Sequence, residues 1–164
     1  MRPPFDEFPV LVAEKIRLCP ISESDFDDIT EISFYDGRAA RDAGEARTMM
    51  SRINIDYQNG ESVHWGIARN TDDRIVGTCG YYRGFANDTG ELGFVMRPLY
   101  RGNGYMSAAV RVAAAFGLHK MGLRRVIAIT SAQNEAAIRV LEHSQFIRTG
   151  NSENDLIEFE LCSI

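Results

Sequence analysis

The stretch Glu91 to Val110, ELGFVMRPLYRGNGYMSAAV, decides how the rest of the chain is read. Its first half is the end of a short β-rich run, TGELGFVM. Its last residues open the alanine-rich YMSAAVRVAAAFGLHKM, Tyr105 to Met121, whose composition favours helix. Between the two, RGNGYMS sets Gly102 and Gly104 behind Arg101. The start of a helix exposes N–H groups that no carbonyl satisfies, so a loop placed there attracts anions. The glycines let main chain approach a ligand and adopt positive φ, and Arg101 adds a guanidinium fork for phosphate oxygens. The same letters also suit a plain tight turn.

Two familiar phosphate loops fail on these residues. GxGxxG would put its third glycine at Ser107, and the ribose-binding acid about 20 residues on would fall near Ile129-Thr130-Ser131, where no acid stands. GxxxxGK[ST] is absent from the chain. Nicotinamide and nucleoside-triphosphate readings are correspondingly weak.

Charge separates the chain into unlike parts. The formal net charge of −5 argues against direct nucleic-acid binding. Yet no carboxylate lies between Glu91 and Glu135, an interval that carries Arg97, Arg101, Arg111, Lys120, Arg124 and Arg125. That interval suits an anion. The acids before it, Glu23, Asp25, Asp27, Asp28 and Glu31, read as the solvated start of a helix.

The remaining letters point to one domain over residues 1–164, large enough to bury a core without disulfides. Cys19, Cys79 and Cys162 form no CxxC pair, and His64, His119 and His143 are scattered, so no metal site is expected. MRPPFDEFPV has prolines and acids where a signal peptide needs an apolar run, and no segment reaches the ~20 apolar residues of a membrane span. A cytoplasmic protein without a membrane partner is the expectation, with a homodimer left open.

Along the chain, VLVAEKIRLCPI reads as a strand and SESDFDDITEISFY as a helix, followed by a second helix over Gly44 to Tyr57. SVHWGIAR, RIVGTCGYYRG and TGELGFVM read as a three-strand meander turned by NTDD and FAND. After the Ala-rich helix, Gly122 and Leu123 form a glycine stop with an apolar follower. RRVIAIT is a strand, Asn134 caps a helix to about Ser144, and IEFEL resumes β structure. Helices and strands mix without strict alternation. The expected class is α+β, with a parallel crossover around the Ala-rich helix.

ELGFVMRPLYRGNGYMSAAV followed by GLRRVIAITSAQNEAAIRVLEHSQF resembles the GNAT superfamily of acetyl-CoA-dependent N-acetyltransferases, in particular the branch that includes ribosomal-protein N-terminal acetyltransferases. The resemblance covers almost the whole chain and is most specific in the Arg/Gln-x-x-Gly-x-Gly/Ala type of loop and the Asn-x-x-Ala-x-x-x-Leu-Glu helix. It implies a three-layer α/β/α fold whose mixed, mostly antiparallel sheet contains a splayed parallel strand pair flanked by helices. It further implies acetyl-CoA as co-substrate and a primary amine acceptor, either a protein N-terminus or a small molecule. By the same analogy Phe94, Val95 and Met96 receive the pantetheine arm. Arg101, Gly102, Asn103, Gly104, Tyr105 and Met106 hold the pyrophosphate, Asn134 orients the thioester end, and Val95 or Met96 supplies an N–H to the oxyanion.

The sequence departs from that pattern in three places. Met106 stands where a small residue is usual, Gln145 replaces a glycine, and Leu141 replaces the tyrosine that protonates the thiolate in many relatives. No acid is thereby identified; Tyr100, Tyr105, His143 and Ser144 are substitutes with ordinary structural alternatives. These losses motivate a second reading, a catalytically weak CoA-binding or regulatory module. Glu91 is the candidate general base, acting directly or through water, and pairing across the strands with Arg83 is its equal structural alternative. His64, Trp65, Tyr81 and Tyr82 are either acceptor-pocket residues or sheet aromatics.

Overall fold

The computed structural model describes residues 1–151 and 153–163; Ser152 and Ile164, within the expected 1–164 span, lie outside the described residues. As the alternating runs predict, β5 (Val63–Arg69), β6 (Ile75–Tyr82) and β7 (Thr89–Met96) form an antiparallel meander. The alanine-rich α3 (Tyr105–His119) then carries the chain to β8 (Arg125–Ser131), which runs parallel to β7. The N-terminal strands β1 (Leu11–Val12) and β2 (Ile16–Cys19) extend the sheet beyond β5. At the other edge, β10 (Leu156–Cys162) separates β8 from β9 (Ile147–Asn151). The order is β1-β2-β5-β6-β7-β8-β10-β9, antiparallel except at β7 and β8.

Side-chain alternation divides the sheet into two faces. On one, Trp65, Cys79, Tyr81, Leu92 and Met96 meet α3 and Leu141 of α4 (Glu135–His143) in the main core. On the other, Ala68 and Ile75 pack with Phe26 and Ile29 of α1 (Phe26–Ile29), and Met50 of α2 (Ala43–Gln58) joins the edge of that cluster. The result is the expected mixed sheet between helical layers.

Three local expectations change. VLVAEKIRLCPI is a hairpin rather than one strand: the consecutive charged residues Glu14 and Lys15 break the alternation, and Ala13 N–H bonds Ile16 O at 2.9 Å across the reversal. The first helix is one short α segment between two 3₁₀ turns, Glu23–Asp25 and Thr30–Ile32. There the hydroxyls of Thr30 and Ser33 bond the carbonyls of Phe26 and Ile29, and the β-branched Ile29, Thr30 and Ile32 weaken helix. The chain next makes a small hairpin, β3 (Phe34–Tyr35) with β4 (Arg38–Ala39), whose two-residue turn puts Asp36 and Gly37 at φ 50° and 77°. Asp-Gly is the composition such a turn demands. β9 is an edge strand too short and polar to stand out in the sequence.

Two helices are each followed by a left-handed residue and a backbone bond that reaches back into the helix. After α3, Gly122 has φ 73° and Leu123 N–H reaches back to Gly117 O; after α4, Gln145 has φ 66° and Phe146 N–H reaches back to Leu141 O, each at 3.0 Å. Gly122 takes the left-handed conformation freely, whereas Gln145 is strained there. Gln145→Gly is expected to raise unfolding free energy by about 0.5–1 kcal/mol after allowing for the greater freedom of glycine in the unfolded chain. A shift of the denaturant midpoint to higher concentration at constant slope checks this.

Candidate active site

The parallel contact between β7 and β8 is short. Thr89, Gly90 and Glu91 pair with Arg125, Val126 and Ile127. Beyond that point β7 follows β6 as far as Met96, while β8 follows β10 as far as Ser131, and the strands part into a wedge. Arg97 N–H bonds Val76 O at 2.8 Å, in register with the Thr78–Val95 pair. Alternation therefore turns the main-chain groups of Gly93 and Val95 toward β6, and those of Phe94 and Met96 into the wedge. Of the two amides considered for an oxyanion, Met96 has this orientation and Val95 does not.

The wide end of the wedge leads to the glycine loop. Gly102 and Gly104 have φ 82° and 76°, and a Cβ built on either would meet nothing within 4 Å. Gly104 is the N-cap of α3, and no side chain caps that first turn. Asn103 braces the loop by donating from Nδ2 to Tyr100 O at 3.0 Å. Arg101 is exposed and makes no ion pair among the described residues. Tyr105 is half-buried, and the Met106 side chain is in the core, so this bulky residue leaves the loop surface clear. Across the wedge, Asn134 spends its Oδ1 on Ala137 N–H at 3.2 Å as a helix cap.

The loop also has supports that sequence reasoning missed. Tyr100 is buried beneath it, with the guanidinium of Arg69 5.0 Å and that of Arg97 5.1 Å from its ring centroid. Arg74 approaches the Tyr100 hydroxyl at 3.5 Å. Tyr100 is thus a pillar among cations. Other cations of the carboxylate-free interval are engaged: Arg97 with Glu31 at 3.0 Å, and Arg125 with Glu160 through two bonds of 2.8 and 2.7 Å. Glu31, in the 3₁₀ turn after α1, thereby anchors the end of β7.

On the α1/α2 face, a cavity of about 490 Å³ lies between the helices and the sheet and reaches β7 at Gly93, Phe94 and Val95. Ile29, Ile32, Met49, Met50 and Ile53 form apolar walls, and the acids Asp36, Asp56 and Glu61 also line it. Arg83 lines it too, but is paired with Glu91 at 2.7 Å. The expected cross-strand partnership of Glu91 is therefore formed. It uses Oε1 of the carboxylate.

Two of the four sheet aromatics are on this face and two are not. Trp65 and Tyr81 are in the core, where Tyr81 donates to Ala113 O at 2.8 Å. His64 and Tyr82 line the cavity, joined through His64 Nδ1 and Tyr82 Oη at 2.5 Å. Burial lowers the His64 pKa to about 4 and raises that of Tyr82. Of the substitute acids, Tyr100 is the pillar just described and Ser144 is buried at the C-terminal end of α4. Leu141 is fully buried, so the position that bears tyrosine in many relatives serves the core here.

A wedge in a parallel pair, an uncapped glycine loop at its wide end and a cavity against its side make a candidate site with room for an extended anionic ligand and a second reactant. Residues 15–147 match the family model of the acetyltransferase (GNAT) domain. The chain belongs to the GNAT acetyltransferase family. It is 26% identical over 151 residues to the uncharacterized N-acetyltransferase YoaA of Bacillus subtilis (strain 168), covering 87% of this chain and 85% of that one. Among solved structures it matches RimJ of Mycobacterium smegmatis in complex with a CoA disulfide, with a TM-score of 0.80, 16% identity and coverage of 99% of this chain and 90% of that one. A second match is RimL, a ribosomal L7/L12 alpha-N-protein acetyltransferase bound to coenzyme A, with a TM-score of 0.81 and 14% identity over 94% of this chain and 98% of that one. At those identities the structures establish the shared GNAT fold. Acetyl-CoA is the acyl donor of the family, and this chain is an acetyltransferase by membership.

The shifted His64 pKa has a stability consequence. The unfolded chain takes up a proton near pH 6.5 and the folded chain only near about 4, so protonation favours unfolding between those values. The His64 contribution is full above pH 6.5 and is lost as pH falls through that window, to an extent on the order of 3 kcal/mol. Denaturant unfolding at pH 7 and pH 4.5 is expected to show a smaller loss in His64→Gln than in the native sequence.

Proposed function

We propose that the protein transfers acetyl from acetyl-CoA, lying in the β7/β8 wedge, to a primary amine that occupies the cavity under α1 and α2. The supporting observation is that this cavity meets β7 at Gly93, Phe94 and Val95, beside the parted strands. The pyrophosphate falls to the loop: main-chain N–H groups from Gly102 to Met106 donate to it, and the Arg101 guanidinium balances its charge. Phe94, Val95 and Met96 flank the pantetheine arm, with Phe94 and Met96 presenting main-chain groups to it. Asn134, with Nδ2 still available, faces the thioester end.

The acceptor is a cationic amine. Asp36, Asp56 and Glu61 line the cavity without an ion pair among the described residues, and its one lining cation, Arg83, is balanced by Glu91. A protein N-terminal α-amine and a small-molecule amine both satisfy this. The α-amine is the easier substrate, because it titrates near ~8 rather than ~10.4 and costs about 3 kcal/mol less to deprotonate.

Glu91 is the general base. Its Oε1 is engaged by Arg83, which leaves Oε2 to take a proton from the ammonium directly or through water. The freed lone pair attacks the thioester carbonyl, and the Met96 N–H stabilises the developing oxyanion.

Thiol release from acetyl-CoA over a panel of peptides and alkyl amines, with products identified by mass spectrometry, tests the reading. Tight acetyl-CoA binding without turnover across the panel would instead identify a catalytically weak coenzyme-binding module. Glu91→Gln is expected to reduce kcat at least tenfold while acetyl-CoA affinity changes less than twofold. Gly104→Ala places a Cβ in space that is open in the free protein, at a conformational cost of about 1–2 kcal/mol. It is expected to weaken acetyl-CoA binding at least tenfold in calorimetry while the variant remains folded.

A further inference from the structure

We infer that Tyr82 and His64 form a proton relay for acetyl transfer, leading from the acceptor nitrogen in the large cavity to a second, smaller cavity that His64 also borders. The inference rests on the acetyl-transfer reading and adds to it a route for a proton that Glu91 does not take.

The geometry of Tyr82 is unusual for a sheet residue. A Cβ on Gly80 would lie 2.7 Å from its Oη and 2.9 Å from its Cζ, and one on Gly93 would lie 3.0 Å from its ring. The ring therefore lies over these two glycines, against the strand that borders the wedge. His64 Nδ1 is the hydroxyl's one hydrogen-bond partner among the described residues. If Nδ1 carried a proton, the phenol proton would have no acceptor there. The pair is satisfied when Oη–H donates to Nδ1 and the ring proton resides on Nε2. An oxygen lone pair of Tyr82 then remains for an N–H of the acceptor.

His64 continues the path. Its ring borders both the large cavity and a second one of about 190 Å³, lined in part by Phe8, Ile21, Asn54 and Tyr57. Met50 and Ile53 of α2 contribute to both and stand between them. The charged groups around the pair are Asp36, Asp56 and Glu61, and Arg83 with its partner Glu91; none bonds to His64 or Tyr82. Burial is accordingly the cause that keeps the imidazole neutral at rest. A neutral imidazole is ready to accept a proton on one nitrogen as it releases one from the other.

The reaction needs this second outlet. An ammonium acceptor loses two protons on becoming an amide nitrogen: one before attack and one as the tetrahedral adduct collapses. One proton ends on the CoA thiolate and one reaches solvent. Glu91 takes the first and passes it, directly or through water, to the departing thiolate, which restores the carboxylate. In the second transfer the N–H bond of the adduct breaks as a bond to Tyr82 Oη forms. The original Oη–H bond breaks as Nδ1–H forms, and Nε2 releases its proton to water in the small cavity. After product leaves, Tyr82 Oη gives its proton to water in the open large cavity as it takes the one on Nδ1, and Nε2 takes a proton back from water in the small cavity, which restores the starting tautomer.

The test uses the full chain. Nitrogen-15 NMR of His64 at pH 7 is expected to show Nε2 protonated and Nδ1 unprotonated; a protonated Nδ1 would overturn the relay whatever the acceptor. Turnover is then measured with acetyl-CoA and three probes: an unblocked tetrapeptide, spermidine and tyramine. Tyr82→Phe is expected to lower kcat at least tenfold with the acetyl-CoA KM within twofold. His64→Gln keeps an acceptor for the phenol but cannot pass a proton on, so it should be as slow as Tyr82→Phe. Near-native turnover in folded, CoA-binding His64→Gln would reduce the histidine to a support and sink the relay. Absence of turnover by the native chain on all three probes counts against the acetyl-transfer reading, while the tautomer still decides the arrangement of the pair.

Discussion

The site depends on a competition between strand pairings. β7 is held by β6 from Glu91 to Met96 and β8 by β10, while the contact between β7 and β8 ends at Glu91 and Ile127. Main-chain groups of Phe94 and Met96 are consequently turned toward a gap instead of a neighbouring strand. Backbone N–H and C=O groups without partners are costly where water is excluded. An elongated ligand with amide groups of its own can restore those bonds, which makes a break in the sheet a binding surface. The α3 crossover starts beside the same break and presents its uncapped first turn there. One rupture in pairing therefore organises both ends of the proposed cofactor site.

Cation placement follows from packing more than from composition. Arg97 and Arg125 are engaged in cross-element ion pairs, one tying β7 to the acidic segment around α1 and the other tying β8 to β10. Arg101 alone projects at the glycine loop without such a partner, while Arg69 and Arg97 stack on the buried Tyr100 beneath it. A carboxylate-free interval in sequence is thus partly a set of structural clamps. Its anion-binding capacity is concentrated at the loop, where orphan amides and an uncompensated guanidinium coincide.

The proposed acceptor side combines residues from distant segments. The cavity joins Asp36 of the small hairpin, Asp56 of α2, Glu61 ahead of β5 and Arg83 after β6. The departure at Leu141 has a comparable explanation, since that side chain is part of the core between α4 and the sheet. Gln145 preserves the left-handed helix stop despite lacking glycine's freedom, with the Phe146 backbone bond completing it. The altered motif residues thus retain the local backbone and the core packing.

Much of the fold was legible because its signals are local. Alternation marked β5, β6 and β7, alanine content marked α3, and Asn134 marked the start of α4; the loop was found because glycines, arginine and a helix start are contiguous. Glu14-Lys15 and Asp36-Gly37 were local signals too, and they account for the two hairpins that a longer helix or strand reading passed over. Tertiary structure alone decided which face of the meander meets a cavity, that Tyr82 lies across Gly80 and Gly93, and that His64 stands between two cavities. The reason is physical: periodicity and propensity act within a few residues, whereas a cavity, a stacked ring or a parted strand pair depends on how segments far apart in sequence share one volume.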